Sequence, residues 1–275
     1  MKRNYYILLL LSVFAVACSN DDDATNENPN PNPNPNPNPN PEVVDFLPMN
    51  SDNYWVYDVE GGTGGSGRDS LYVANDTVIN GNTYKKFKTQ FLPFGFYSNA
   101  LNNNGVRNDN GKIKISGVPD LGLPNLPVNI ELSDFIIFDK DATNGTALSS
   151  VNGSIPQQLE GFDISVDYML SSTAGETLQS YTLPNNVTYN NVKKVTVKLN
   201  LEVTVTVPQF PIPFSILPAQ NVAVSTQYYA DGIGMIYTTT DISYQLASLP
   251  IELPLPIPQS MSEHQEEVLS DYQVE

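Results

Sequence analysis

Hydrophobic and polar residues alternate with a period of two along most of this chain. Val195, Val197, Leu199, Leu201, Val203, Val205 and Val207 share one face of an extended segment, while Thr196, Lys198, Asn200, Glu202, Thr204 and Thr206 share the other. Successive side chains of a strand point to opposite faces, so this pattern predicts a long strand with one face wet. Phe162, Ile164, Val166, Tyr168 and Leu170 repeat it, as do Ile236, Thr238, Thr240, Ile242, Tyr244 and Leu246. Phe135 to Phe138 reads as a shorter strand. Asn80-Gly81, Asn110-Gly111, Asn152-Gly153 and Asp231-Gly232 punctuate these runs, and such pairs favour tight hairpin turns. No stretch sustains a 3.6-residue period. Ser262 to Leu269 offers a helix start, with Ser262 and Gln265 at capping-box spacing, and equally leads into a strand over Val268 to Val274. The expected fold is all-β, a single antiparallel curved sheet or incomplete barrel of about ten strands.

Three proline-spaced apolar segments interrupt the alternation: Val118 to Leu132, Val207 to Pro218 and Leu249 to Pro258. Proline confines them to strand edges, bends or polyproline geometry, while their leucines and isoleucines favour burial. The first expectation is that they pack together and cap an open end of the sheet. The alternative is an apolar ligand mouth or partner patch built from Phe210, Ile212, Phe214, Leu253, Leu255 and Ile257. Trp55, with Tyr54 and Tyr57, reads as core of the first strand.

The amino-terminal region follows other rules. Lys2 and Arg3 precede an apolar run from Tyr5 to Phe14, then the small residues Ala15 and Ala17, then Cys18, the one cysteine of 275 residues. A charged start, an apolar run too short to span a bilayer and a small-residue cleavage site predict an export signal. Asn28 to Pro41 reads Asn-Pro seven times over. Proline at every second position favours an extended spacer reaching ~43 Å at ~3.1 Å per residue. The chain therefore divides into an export signal peptide (1–17), an acidic tract and Asn-Pro linker acting as a disordered stalk (18–42), and one β domain (43–275).

Ala15-Val16-Ala17-Cys18 and the acids Asp21, Asp22 and Asp23 resemble the amino terminus of Bacteroidota-type surface-exposed lipoproteins, with Ala15 where leucine is usual. The resemblance implies cleavage by signal peptidase II, acylation of Cys18 and export to the outer leaflet of the outer membrane. It continues in Phe46-Leu47-Pro48-Met49 and Asn53-Tyr54-Trp55-Val56-Tyr57, with Asp52 where glycine is usual. Asp76 to Tyr84 resembles the second hairpin of that group, and Gly232-Ile233-Gly234 its late Gly-x-Gly turn. An antiparallel β domain is implied, and no activity. Asp69-Ser70-Leu71 and Asp76-Thr77-Val78 resemble the O-glycan signal of these bacteria, which makes Ser70 and Thr77 candidate attachment sites.

Charge and chemistry narrow the function. The chain carries 30 acidic and 13 basic side chains; removing residues 1–17 deletes Lys2 and Arg3, leaving 30 against 11, a net charge of −19. Such a surface repels nucleic acid and anionic headgroups, so no nucleic-acid partner is expected. With Cys18 acylated no thiol remains, and the single histidine, His264, rules out two-histidine metal sites within one chain. His264 lies in a polar segment with no Gly-x-Ser-x-Gly elbow to pair with it. Asp139 to Gly145 starts like a calcium loop, yet its sixth position is Asn144 and its twelfth Ser150, where glycine and glutamate belong. No metal or cofactor site follows. The expected function is a non-catalytic, lipid-anchored outer-membrane lipoprotein at the cell surface. It would bind an unknown small molecule or outer-membrane protein. Alternatives are a carrier holding a lipid or other apolar ligand in the concave face of the sheet, and a hydrolase using a carboxylate pair.

Overall fold

A computed structural model describes residues 44–62, 65–122, 128–159, 162–207, 212–248 and 257–275. The alternating segments become twelve strands of one antiparallel sheet, two more than the alternation alone indicates. One meander contains β1 (Tyr54–Gly61), β2 (Gly67–Ile79), β3 (Asn82–Thr89), β4 (Gly105–Asp109), β5 (Lys112–Gly117) and β6 (Leu132–Asp139). The other contains β7 (Ala147–Leu159), β8 (Phe162–Thr182), β9 (Thr188–Thr206), β10 (Phe214–Ala230), β11 (Gly234–Gln245) and β12 (Ser260–Gln273). Pairing of β1 with β12 joins the meanders, from Tyr54 opposite Gln273 to Gly61 opposite Gln265. Helix α1 (Phe96–Leu101) lies between β3 and β4. The free edges, β6 and β7, curl toward each other and nearly close a barrel. Side chains stitch that seam: Ser172 Oγ of β8 donates to the Ile136 carbonyl of β6 at 2.5 Å, and the Lys193 ammonium of β9 donates to the carbonyls of Lys140 and Ala142.

Asn80-Gly81, Asn110-Gly111 and Asp231-Gly232 lie at the expected turns. Asn152-Gly153 does not turn. It runs inside β7, with Asn152 opposite Met169 and Gly153 opposite Tyr168. A side-chain carbon on Gly153 would meet the Tyr168 hydroxyl at 2.7 Å, so glycine here makes room for a cross-strand ring. The helix alternative at Ser262 to Leu269 is also overturned, since these residues belong to β12. Pro156 lies on the free edge strand β7, where lack of an amide donor blunts pairing with another chain.

Inward positions are strongly apolar. Trp55 and Tyr57 are fully buried, with Trp55 stacked on Phe87 at 5.8 Å between centroids, as expected for core of the first strand. Trp55 Nε1 donates to the Ile233 carbonyl at 2.6 Å, and the Tyr57 hydroxyl to the Met235 carbonyl at 3.0 Å. Thus the Asn-x-Trp-x-Tyr strand and the Gly-x-Gly turn, far apart in sequence, lock directly onto each other. The β8–β9 hairpin folds over the outer face of β10 and β11, stacking Tyr181 on Tyr228 at 4.4 Å and bringing Asn185 Nδ2 within 3.2 Å of the Leu269 carbonyl. On the β3–β6 side, the Arg107 guanidinium grips Asp134 with two 2.8 Å bonds, and the Tyr84 hydroxyl adds a third. Those bonds hold the Asp134 carboxyl down to about 2. The stability they contribute is present above the ordinary aspartate range and is lost as pH falls through that value.

Asp52 precedes β1 with φ of 73°, a left-handed conformation that disfavours side chains other than glycine, and its own side chain is exposed. Asp52→Gly should therefore raise unfolding free energy by about 0.5–1 kcal/mol, measured by denaturant titration. A loss of stability would contradict this account of the turn.

Candidate functional site

The most organised polar structure lies inside the barrel, where strand side chains grip the start of α1. Inward positions of β2 and β12 hold Asp69, Gln265 and Glu267, exposed by 2, 7 and 0%. Asp69 accepts the amides of Phe94 and Gly95 at 2.9 and 2.8 Å. Gln265 Oε1 accepts the Phe96 amide at 2.7 Å, and its Nε2 donates to the Phe94 carbonyl at 3.1 Å. Glu267 Oε1 accepts the Tyr97 amide at 2.7 Å; its Oε2 meets the Ser98 amide at 3.3 Å and the Ser98 hydroxyl at 3.0 Å. Five consecutive amides, 94 to 98, are thereby satisfied by three side chains. A helix start leaves such amides without intrahelical partners and carries partial positive charge, so interior acceptors are the natural complement. Gly95 is required by space: a side-chain carbon there would come within 2.1 Å of Glu267 Oε2.

Buried tyrosines surround this cage. Tyr57 and Tyr97 meet edge to face at 6.0 Å between centroids, and Tyr97 and Tyr229 at 6.3 Å. Burial, then the nearby Glu267 charge and neighbouring phenols, pushes the Tyr57 hydroxyl well above its ordinary range. Tyr97 is pushed the same way by burial and then by Tyr229, and its hydroxyl has no well-formed hydrogen bond among the described residues. Tyr229 donates to Gln227 at 2.9 Å, continuing a polar column through Ser225 to Thr240. Burial raises the Glu267 carboxyl to about 7, opposed by its hydrogen bonds from Tyr97 and Ser98 and reinforced by the Asp69 charge. A cavity of about 40 Å³ adjoins α1, between Phe96, Tyr97 and Leu101 and the facing Phe135, Leu170 and Val197. That is room for a few water molecules, against roughly 300 Å³ or more for a ligand pocket.

The sequence-derived candidates are scattered. Cys18, Phe210, Leu253 and Leu255 lie outside the described residues. Ile212 is 71% exposed, Phe214 is half-buried, and Ile257 packs partly against the core. From the first proline-spaced segment, Leu121, Val128, Ile130 and Leu132 are buried and Val118 is exposed, while most of the third segment lies outside the described residues. Ser70 is half-buried beside Leu71, which is fully buried, and both oxygens of Asp69 are taken by amides. Thr77 sits in an open hairpin next to Val78, which is 69% exposed. In the Asp139 loop, the Lys193 ammonium occupies the carbonyls of Lys140 and Ala142 that a cation would seek. His264 pairs with Asp241 across β11 and β12 at 2.7 Å, which raises its pKa. Among the described residues no group of three or more ligating side chains is placed to hold a metal.

Sequence reasoning did not single out the cage. Asp69 entered only as part of a glycan signal, Gln265 as a capping residue, and Glu267 as one acid among many. The available signal was Gln265, Glu267 and Leu269 at i, i+2 and i+4, one face of a strand.

Comparison with protein-family models, curated proteins and solved structures finds no match for this chain.

The cage has a pH signature. A carboxyl raised to about 7 binds its proton more tightly folded than unfolded, so its contribution falls as pH rises from about 4.5 through 7. The protonated acid keeps Oε1 on the Tyr97 amide and turns its proton toward the Ser98 hydroxyl; Glu267→Gln keeps both of these but loses the acceptor for the Ser98 amide. The stability of this variant relative to wild type should rise by about 1–3 kcal/mol between pH 5 and pH 8. Equal destabilisation at both pH values, measured by denaturant unfolding, would contradict the assignment.

Proposed function

We propose that this chain is a cell-surface lipoprotein held in the outer membrane through acylated Cys18, acting by non-catalytic binding through its outer surface. The observation that best supports surface binding is the use of the interior. Asp69, Gln265 and Glu267 satisfy the protein's own amides, and Trp55, Tyr57 and Tyr97 fill the space beside them. A carrier would need that volume for its cargo, and a carboxylate-pair hydrolase would need acids turned to a cleft. The membrane is the first partner in this reading, with a small molecule or outer-membrane protein as the second.

Among the described residues no helix is long and apolar enough to cross a membrane, and acylation supplies the anchor in this proposal. Cys18→Ala should move the protein from the membrane fraction to the soluble fraction of cells. Retention of the variant after a salt wash would overturn the lipid-anchored reading.

A further inference from the structure

The cage does more than end a helix: it presents an apolar tip. Between β3 and α1 the chain runs Gln90-Phe91-Leu92-Pro93-Phe94-Gly95. Phe91 is 80% exposed, Leu92 86% and Phe94 42%, the first two being the most exposed large hydrophobics among the described residues. The base of this tip is fixed. Asp69 holds the amides of Phe94 and Gly95, Gln265 holds the Phe94 carbonyl, Asn99 Nδ2 donates to the Pro93 carbonyl at 3.1 Å, and Pro93 is buried. The strand that runs into the tip carries Lys86 and Lys88 on the face opposite buried Phe87, and neither lysine has an ion pair among the described residues. In a chain with more than twice as many acids as bases, β3 carries three lysines and no acid.

We propose that this tip inserts into the interfacial region of a phospholipid bilayer. A rigid convex loop with apolar side chains at its apex and lysines behind them matches a membrane interface, where rings enter the acyl boundary and lysine stems reach back to the phosphates. A bilayer needs no complementary shape. A stable protein interface would need about 800 Å² per partner, more than three tip side chains provide. Access follows from the chain's geometry. Val44 leaves the domain beside the β10–β11 turn, where Asp45 accepts the Gly232 amide at 2.9 Å. The tip lies at the other end of β1–β3. The residues from Cys18 to Val43 span at most roughly 90 Å, enough for a membrane-anchored domain to lay its tip on the same bilayer. Proximity to that bilayer rests on the lipid-anchored reading, whereas the binding test does not.

The test uses the mature chain with Cys18→Ala, which carries no acyl group. It is sedimented with phosphatidylcholine vesicles and with phosphatidylcholine vesicles containing phosphatidylglycerol. The parent should bind both, and Phe91→Asp combined with Leu92→Asp should weaken binding roughly tenfold or more. Melting should stay unchanged, since both residues are exposed. Lys86→Gln with Lys88→Gln should reduce binding only to the anionic vesicles. Phe91→Trp should show a blue-shifted emission change on vesicle addition, against the invariant signal of buried Trp55. A parent that stays in the supernatant with both vesicle types, or an aspartate variant that binds as the parent does, overturns the proposal.

Discussion

Capture of the amides of residues 94 to 98 by Asp69, Gln265 and Glu267 is the constraint on which the rest of this domain turns. Those acceptors come from β2 and β12, which flank β1 on opposite sides, so the grip fastens both meanders to one short helix. Burying two carboxylates and an amide is costly unless every acceptor is used, and here each is turned to backbone donors. α1 is too short to be stable by itself and exists because the barrel holds its first turn. The cost falls on Glu267, whose charge is taken out of water and whose proton is correspondingly hard to lose.

The same grip divides the surface by chemistry. Inside, Tyr97 and Leu101 of α1 close the space beneath the helix start, leaving a cavity of about 40 Å³. Outside, the tip before Gly95 is pushed into solvent with its backbone already ordered, so an apolar contact there loses little conformational entropy on binding. Among the described residues the interior beside α1 is packed with the protein's own side chains, and the tip projects from it. An acidic net charge keeps most of that exterior soluble and apart from other polyanions.

The sheet was legible because its chemistry is local. Val195 to Val207 alternates without a break and lies within β9 up to Thr206, and three of the four Asn-Gly or Asp-Gly pairs turn where such pairs favour turns. Asn152-Gly153 misled because its glycine answers to Tyr168 on the neighbouring strand, a contact no local pattern records. β12 was ambiguous because its inward positions include Gln265 and Glu267, so polarity at buried sites erased the alternation that defines a half-buried strand. α1, six residues between Gly95 and Asn102, offers no full period to detect. The cage itself joins residues 25 to 171 apart in sequence, and only pairing of β1 with both β2 and β12 brings them together.

Hydrogen exchange at the amides of Phe94, Gly95, Phe96, Tyr97 and Ser98 tests the central claim most directly. Loop amides at the mouth of a barrel ordinarily exchange through small local fluctuations, whereas groups released only by opening the core exchange with the global free energy. The cage predicts protection of these five amides comparable to that of Trp55 and Tyr57 in β1, with a sharp drop at Phe91 and Leu92. Exchange at residues 94 to 98 as fast as at the tip would show that Asp69, Gln265 and Glu267 do not hold the helix, and the account built on them would fail.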